Sequence, residues 1–129
     1  MNKNAGVIVC CGNKVLLAKR ITFLKGNLVE YPGYWSVFTG AIEEGESEED
    51  AAERELFEET ELTIENPLVK VGSIDGLVLF GTEYDDLVYP TLNFEHTECG
   101  WFDIDTLHAF PDKIDEKIIN LILKYKEQV

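Results

Sequence analysis

The sequence lacks any apolar run long enough to cross a membrane. No stretch of its 129 residues approaches the roughly eighteen consecutive apolar positions that a spanning helix needs. Residues 1–4 lead directly into a strand-like segment, without the apolar core that is typical of a signal peptide. These two absences predict a cytoplasmic protein that has no membrane partner.

Basic residues are scarce as well. Eleven lysines and arginines stand against twenty-five aspartates and glutamates, which gives a net charge of −14. Such a surface repels the phosphate backbone of nucleic acids, so we expect no nucleic-acid polymer as a partner. The acidic excess is concentrated, because residues 43–61 hold eleven of the acids and one base. Residues 43–61 are therefore the first candidate for a functional segment.

Cysteine is also too sparse to cross-link the fold with disulfide bonds. There are three cysteines, and Cys10 and Cys11 are adjacent, so their side chains would lie on opposite faces of a strand. This pattern implies no disulfide framework. His96 and Cys99 could contribute to a zinc site, but their spacing matches no paired ligand motif, and ordinary packing is the expectation for both.

What the sequence does contain is a globular composition and a readable order of short elements. Hydrophobic residues make up 45% and charged residues 28%, at a length that suits one domain over residues 1–129. The first third predicts a hairpin of residues 5–11 and 15–18, a long loop at 21–34, a strand at 35–38 and an irregular turn at 39–45.

The remainder predicts two helices and further strands. Ser47 with Asp50 three residues later is a capping-box pattern, which predicts a helix over Glu48–Thr60. Strand-like runs follow at residues 68–71, 77–80, 87–94 and 99–102, with a hairpin turn at 83–86. Asp112 is the expected cap of a final amphipathic helix. Together these elements predict an α/β fold in which a mixed sheet lies between helices.

Three carboxylates share one face of the first predicted helix. Glu55, Glu58 and Glu59 stand at positions i, i+3 and i+4, where each close like-charge pair costs about 0.2–0.5 kcal/mol. Arg54 is the single cation within this helix and cannot neutralise all of them. A solvated acidic surface would account for the cluster, and so would a hard divalent cation such as Mg²⁺ or Mn²⁺, which prefers oxygen ligands.

The spacing around these acids resembles the box motif of the Nudix family. The chain reads Gly40, five residues, Glu46, seven residues, then Arg54-Glu55-Leu56-Phe57-Glu58-Glu59. Every defining position matches except the last glycine, where this chain has Glu61, so the exit of the helix is left open. The order of the surrounding elements is also similar to the family, and the resemblance implies an α/β/α sandwich with a central mixed sheet.

The resemblance also implies an activity. It implies a pyrophosphohydrolase, dependent on Mg²⁺ or Mn²⁺, that cleaves a nucleoside or pterin triphosphate, or another nucleoside diphosphate linked to a further group, by attack of water on phosphorus. The ligands it implies for the metal are Gly40, Glu55, Glu58 and Glu59. Arg54 and Glu46 match the pair that orients those ligands. The general base is left among Glu58, Glu59 and two loop acids, of which Glu98 is named first and Glu95 second.

Candidate substrate contacts lie outside the box. Lys19 and Arg20 end a predicted strand and could meet phosphates, whereas Tyr31, Tyr34 and Trp35 could wall a base or pterin ring. Two other functions stay open beside the first: a diadenosine polyphosphate hydrolase, and a domain that senses a nucleotide or docks a protein without turnover. A homodimer is left open as well.

Overall fold

The computed structural model describes residues 2–21, 23–24, 27–28, 33–93 and 95–129. The predicted contact residue Tyr31 lies outside this part of the chain. Nine strands are assigned within it: β1 (Asn4–Cys11), β2 (Lys14–Arg20), β3 (Phe23–Leu24), β4 (Asn27–Leu28), β5 (Trp35–Ser36), β6 (Phe38–Ala41), β7 (Val69–Ile74), β8 (Leu77–Glu83) and β9 (His96–Asp103). The helices of the described residues are α1 (Glu48–Thr60), α2 (Glu116–Gln128) and a short 3₁₀ helix, Ile104–Ala109.

Seven of these strands form one mixed sheet. The order along it is β5-β2-β1-β8-β7, with β6 paired to β1 and β9 paired to β2. The β1–β8 pair is parallel, whereas β1 pairs antiparallel with both β2 and β6. Because β2 and β6 pair with opposite ends of β1, the sheet divides there. The β3–β4 pair forms a separate ribbon.

The two α-helices cover opposite faces of the sheet. Strand alternation sends Val7 and Val9 of β1 to the apolar layer under α1, and sends Ile8 and Cys10 to the layer under α2. This arrangement confirms the predicted α/β/α sandwich with a central mixed sheet. Within the described residues, neither helix is long and apolar enough to cross a membrane.

The predicted bounds of α1 are confirmed at both ends. The Ser47 side chain accepts a hydrogen bond from the backbone N–H of Asp50 at 3.1 Å, which caps the first turn. At the other end Glu61 adopts the left-handed conformation, with φ 61° and ψ 14°. The helix therefore closes as it would with glycine, although an L residue pays a conformational cost there.

The segment predicted as a strand at residues 87–94 is irregular over 87–93, and that prediction was wrong. Pro90 has no backbone N–H for a sheet ladder. The amides of Thr91 and Asn93 instead donate to the carbonyls of Thr60 and Glu59, at 2.9 and 3.3 Å. The segment therefore caps the C-terminal end of α1, and the hairpin predicted at 83–86 does not form.

Other elements also differ from the sequence prediction: β7, β8 and β9 are longer than predicted, and the loop predicted at 21–34 contains β3 and β4. Residues 39–41 belong to β6 rather than to a turn. The 3₁₀ helix after β9 carried no recognised signal. The last helix begins at Glu116 with Asp115 as its cap, whereas the predicted cap, Asp112, accepts a hydrogen bond from the indole Nε1–H of Trp35. The helix starts later than predicted because Lys113 and Ile114 pair with the backbone of Trp35.

Candidate active site

Arg54 is the hub of the acidic helix. Its Nε and Nη2 donate to the two carboxylate oxygens of Glu46 at 2.7 and 3.0 Å. Its Nη1 donates to Glu55 and to Glu58, at 3.0 Å in each case. Nη2 also donates to the carbonyl of Ala41 at 2.9 Å. One guanidinium therefore connects the loop before the helix to two of the three clustered acids.

The Arg54–Glu46 pair is charged throughout the neutral range. The two hydrogen bonds from Arg54 hold the pKa of Glu46 down to about 2, and a further bond from the backbone N–H of Glu43 acts in the same direction. The hydrogen bonds that Arg54 donates to Glu46 and Glu55 raise the pKa of the guanidinium above its already high value. Such a bidentate pair orients both side chains as well as neutralising them.

Glu55 is packed against Gly40. A Cβ built at position 40 would overlap the carboxyl group of Glu55, so a side chain there would displace it. Gly40 lies in β6, opposite Ala5 of β1, and the rigid sheet therefore sets the position of the carboxylate. Burial raises the pKa of Glu55, and the hydrogen bond from Arg54 offsets part of that effect.

Glu59 is the most deeply buried acid of the three. Its side chain is 1% exposed, and neither carboxylate oxygen has a hydrogen-bond partner within the described structure. Burial, followed by the charges of Glu95 and Glu55, raises its pKa to about 9. Nε2 of His96 lies 3.8 Å from Oε1, but burial, with a smaller effect of Arg20, lowers the pKa of His96 to about 4. At neutral pH this contact is therefore not an ion pair.

The donor atoms of this helix face fit a hard divalent cation. Among the residues that the structure describes, no three carboxylate, imidazole or thiol side chains converge into a metal shell, since Glu55 and Glu58 turn toward Arg54. Glu59, however, presents two buried oxygens without donors, which is costly unless a cation or a proton satisfies them. Carboxylate and carbonyl oxygens are the ligands that Mg²⁺ and Mn²⁺ prefer.

A cavity of about 590 Å³ opens beside Glu55. Among its lining residues are Arg20, Tyr34, Trp35, Gly40, Glu55 and Glu95. Glu95 is held by its backbone N–H, which donates to the side-chain oxygen of Asn93 at 3.0 Å. The structure therefore brings the second-named loop acid, Glu95, to the wall that Glu55 and Gly40 share.

Glu98 and Lys19 are not brought to this wall. They pair across β9 and β2, with Nζ of Lys19 at 3.8 Å from Glu98 and 3.7 Å from Asp112. Lys19 follows Val15 and Leu17 in the strand alternation, and that set faces α2. Glu98 therefore lies on the side of the sheet opposite to α1, which favours Glu95 as the loop acid of the site.

Both predicted aromatic contacts that the structure describes, Tyr34 and Trp35, line the cavity, but they differ in how much of the ring is accessible. Trp35 is only 9% exposed, because its ring packs edge-on against Phe102 and Phe110 with centroids 5.3 and 5.9 Å away. Its indole N–H is already bound to Asp112. Tyr34 is half-buried at the cavity, with Nζ of Lys113 5.8 Å from its ring centroid.

Comparison with known proteins agrees with this fold. The family model for the NUDIX domain matches residues 1–122. An oxidized purine nucleoside triphosphate hydrolase of Danio rerio is 36% identical over 83 residues, which cover 58% of this chain and 53% of that protein. An NAD-capped RNA hydrolase, NudC, of Pseudomonas aeruginosa is 32% identical over 125 residues, covering 91% and 42% respectively. The chain thus spans about half, or less, of the length of these relatives.

A solved structure shares the fold at low sequence identity. The Ap4A hydrolase of C. elegans superposes with a TM-score of 0.74 at 20% identity, covering 97% of this chain and 96% of that one. With the three-layer fold, the matched box motif and the family model over residues 1–122, the chain belongs to the Nudix family.

Proposed function

We propose that this chain is a pyrophosphohydrolase, dependent on Mg²⁺ or Mn²⁺, that cleaves a small nucleotide at a phosphoanhydride bond by attack of water on phosphorus. The observation that carries the proposal is the buried carboxyl group of Glu59, whose two oxygens have no donor among the described residues and which lies within the electrostatic reach of Glu55. The names of two relatives, a nucleoside triphosphate hydrolase and an NAD-capped RNA hydrolase, support the same reaction class.

The proposed metal site has two groups of residues: those that would bind the ion and those that orient the ligands. Glu55, Glu58 and Glu59 would be its ligands together with the carbonyl of Gly40, and the bound ion would neutralise phosphate charge and lower the pKa of water. Arg54 and Glu46 orient Glu55 and Glu58, since the guanidinium bonds to both. Orientation of this kind matters because phosphoryl transfer depends chiefly on positioning and electrostatic stabilisation.

The proton of the attacking water needs an acceptor. Glu95 lines the cavity with Glu55, so it can reach a substrate held there, whereas Glu98 faces away from that wall. We therefore assign the general base to Glu95, with Glu58 and Glu59 as the alternatives within α1. The charge of Glu95 also acts on the buried carboxyl of Glu59, which supports their proximity.

The cavity and surface charge favour a small substrate. A volume of about 590 Å³ suits one nucleotide-sized ligand. Arg20 is a basic residue on its wall, and the net charge of −14 disfavours a polymer held by its phosphates. We propose a base or pterin contact at Tyr34 and, through the edge of its buried ring, at Trp35. We also propose a single domain over residues 1–129 that acts in the cytoplasm.

The test is a substrate screen with defined variants. Nucleoside and pterin triphosphates, dinucleoside polyphosphates and NAD are incubated with Mg²⁺ in ¹⁸O-labelled water, and products are identified by mass spectrometry. We expect label in one phosphate product and loss of turnover by about 100-fold or more in Glu59→Gln. Glu53→Gln on the exposed side of the same helix is the matched control and should retain turnover.

Two outcomes would overturn the proposal. Parental turnover in Glu59→Gln would remove the assigned metal site. Tight nucleotide binding by the parent protein without hydrolysis of any compound, with Mg²⁺ or Mn²⁺ present, would favour the nucleotide-sensing function instead. Turnover confined to dinucleoside polyphosphates would keep the mechanism and select the diadenosine polyphosphate hydrolase.

A further inference from the structure

A buried polar pair lies between α1 and β9. The side chains of Glu59 and His96 are each 1% exposed, and Nε2 of the imidazole is 3.8 Å from Oε1 of the carboxyl group. In the described structure both oxygens of Glu59 and Nδ1 of His96 have no hydrogen-bond partner. Buried polar groups are normally satisfied, so an unsatisfied pair calls for an explanation.

A β-bulge turns His96 toward α1. In the ladder with β2, Glu98 lies opposite Lys19 and faces α2. His96 lies opposite Arg20, the next residue of β2, so Thr97 is the extra residue of a bulge. Strict alternation from Glu98 would send His96 to the α2 face as well. The extra residue returns its side chain to the α1 face, and bulges re-aim side chains near active sites in this way.

Packing then holds the imidazole in place. The ring of Phe38 meets it edge-on, with centroids 5.4 Å apart. Arg54, the strong hydrogen-bond donor of α1, is already bound to Glu46, Glu55 and Glu58. Among the described residues, His96 is the basic side chain that lies within ion-pair distance of Glu59, with Nε2 3.8 Å from Oε1.

We propose that His96 is a positioning residue for Glu59, donating its Nε2–H to the carboxylate and fixing the direction in which the free oxygen points. This inference rests on the proposed function, because it concerns a metal ligand of that site. A neutral imidazole carries one N–H, and with the proton on Nε2 the buried Nδ1 has no N–H that would be left without an acceptor. Hydrogen bonds to ligating side chains commonly contribute about 10–100-fold to metal affinity.

The test compares two substitutions of similar length. His96→Met removes the donor, whereas His96→Gln keeps an N–H near the position of Nε2. Mn²⁺ binding to the substrate-free protein is measured by electron paramagnetic resonance, and kcat is measured against Mg²⁺ concentration. We expect His96→Met to weaken Mn²⁺ binding by about tenfold or more and to raise the Mg²⁺ requirement. His96→Gln should recover most of that loss.

The outcomes separate this inference from the proposed function. If the parent and His96→Met bind Mn²⁺ equally well, or if both variants lose affinity to the same extent, the positioning role is wrong and the proposed function stands. If the parent binds no Mn²⁺ and hydrolyses nothing, the proposed function fails as well.

A measurement on the parent protein covers the case in which the substitutions prevent folding. Nitrogen NMR of the Mg²⁺-loaded protein reports which imidazole nitrogen carries the proton. We expect the Nε2–H form for His96, whose signals are distinguished from those of the exposed His108. An Nδ1–H form would overturn the inference.

Discussion

The carboxyl group of Glu55 lies against the Cα of Gly40, with no room for a Cβ between them. Gly40 is not among the glycines with positive φ, so its backbone would accept an L residue. Space, and not conformation, therefore requires glycine at the start of the box. The contact also connects the central sheet to the acidic helix at the point where we place the metal.

Gly40→Ala should lower kcat/KM by roughly 100-fold, because a displacement of Glu55 by about 1 Å moves a proposed ligand away from its partners. The matched control is Gly72→Ala in β7, where a Cβ would meet the flexible Nζ of Lys124 at 3.2 Å and Cδ2 of Leu121 at an ordinary 3.4 Å. Steady-state kinetics on both variants test this relationship. Parental kcat/KM in Gly40→Ala would show that the position of Glu55 does not matter for turnover.

Glu95→Gln should reduce kcat by about 100-fold or more, as expected for loss of a general base. Glu98→Gln is the control on the other face of the sheet, where its partners are Lys19 and the solvent, and its kcat should remain near the parental value. The two rates, measured at saturating Mg²⁺, decide between the loop acids. A larger loss in Glu98→Gln would contradict the assignment made from the cavity wall.

The Glu46 carboxyl should titrate near pH 2 in the folded protein. Its pKa is lowered by Arg54, so the stabilisation from this pair is fully present above the unfolded value of about 4.5. That stabilisation is lost as the pH falls from 4.5 toward 2. Carbon NMR of the side-chain carboxyl measures the midpoint, and Arg54→Lys should move it upward because a lysine lacks the two-pronged donor. An unchanged midpoint in that variant would show that the guanidinium does not set the pKa of Glu46.

Glu61→Gly should stabilise the protein by about 1 kcal/mol. Glu61 holds a left-handed φ of 61°, which costs an L residue about 1–2 kcal/mol, whereas glycine adopts it freely. Urea unfolding gives the free energy of unfolding. Glu61→Gln is the control, since it removes the negative charge from the helix C-terminus but keeps the Cβ. Equal stabilisation by both variants would assign the gain to charge and not to conformation.

Helices and hairpins that are specified by neighbouring residues, through a cap, a period or a turn, were predictable from the sequence. The cap at Ser47 and the period of the acidic helix defined α1 correctly, and branched residues around a turn defined the β1–β2 hairpin. The strand predicted at residues 87–94 was wrong because alternating apolar side chains also suit a segment that packs on the core without strand hydrogen bonds. Their amides satisfy the carbonyl end of α1, a partner about thirty residues earlier that no local pattern reveals.

In the candidate site too, contacts within one element were predictable and contacts between elements were not. Helix geometry alone places Glu55, Glu58 and Glu59 on one face, and the structure agrees that Arg54 and Glu46 bind this cluster. Glu98 is in β9, where it pairs with Lys19, whereas Glu95 precedes the strand, and its backbone is held by Asn93 and by the amide of Ile21. A shift of one position exchanges the two faces of a strand, so the sequence could not decide between them.

The sequence by itself determined the family, the layered fold and the acidic helix, because these follow from spacing within one element or from a motif of fixed offsets. Only the tertiary structure decided which acids share a wall, that Glu98 and Lys19 belong to the opposite face, and that His96 is buried against Glu59. Those relationships depend on the register between β2 and β9 and on the packing of α1 over the sheet. They join residues distant in sequence, and a bulge of one residue re-aims His96 toward α1.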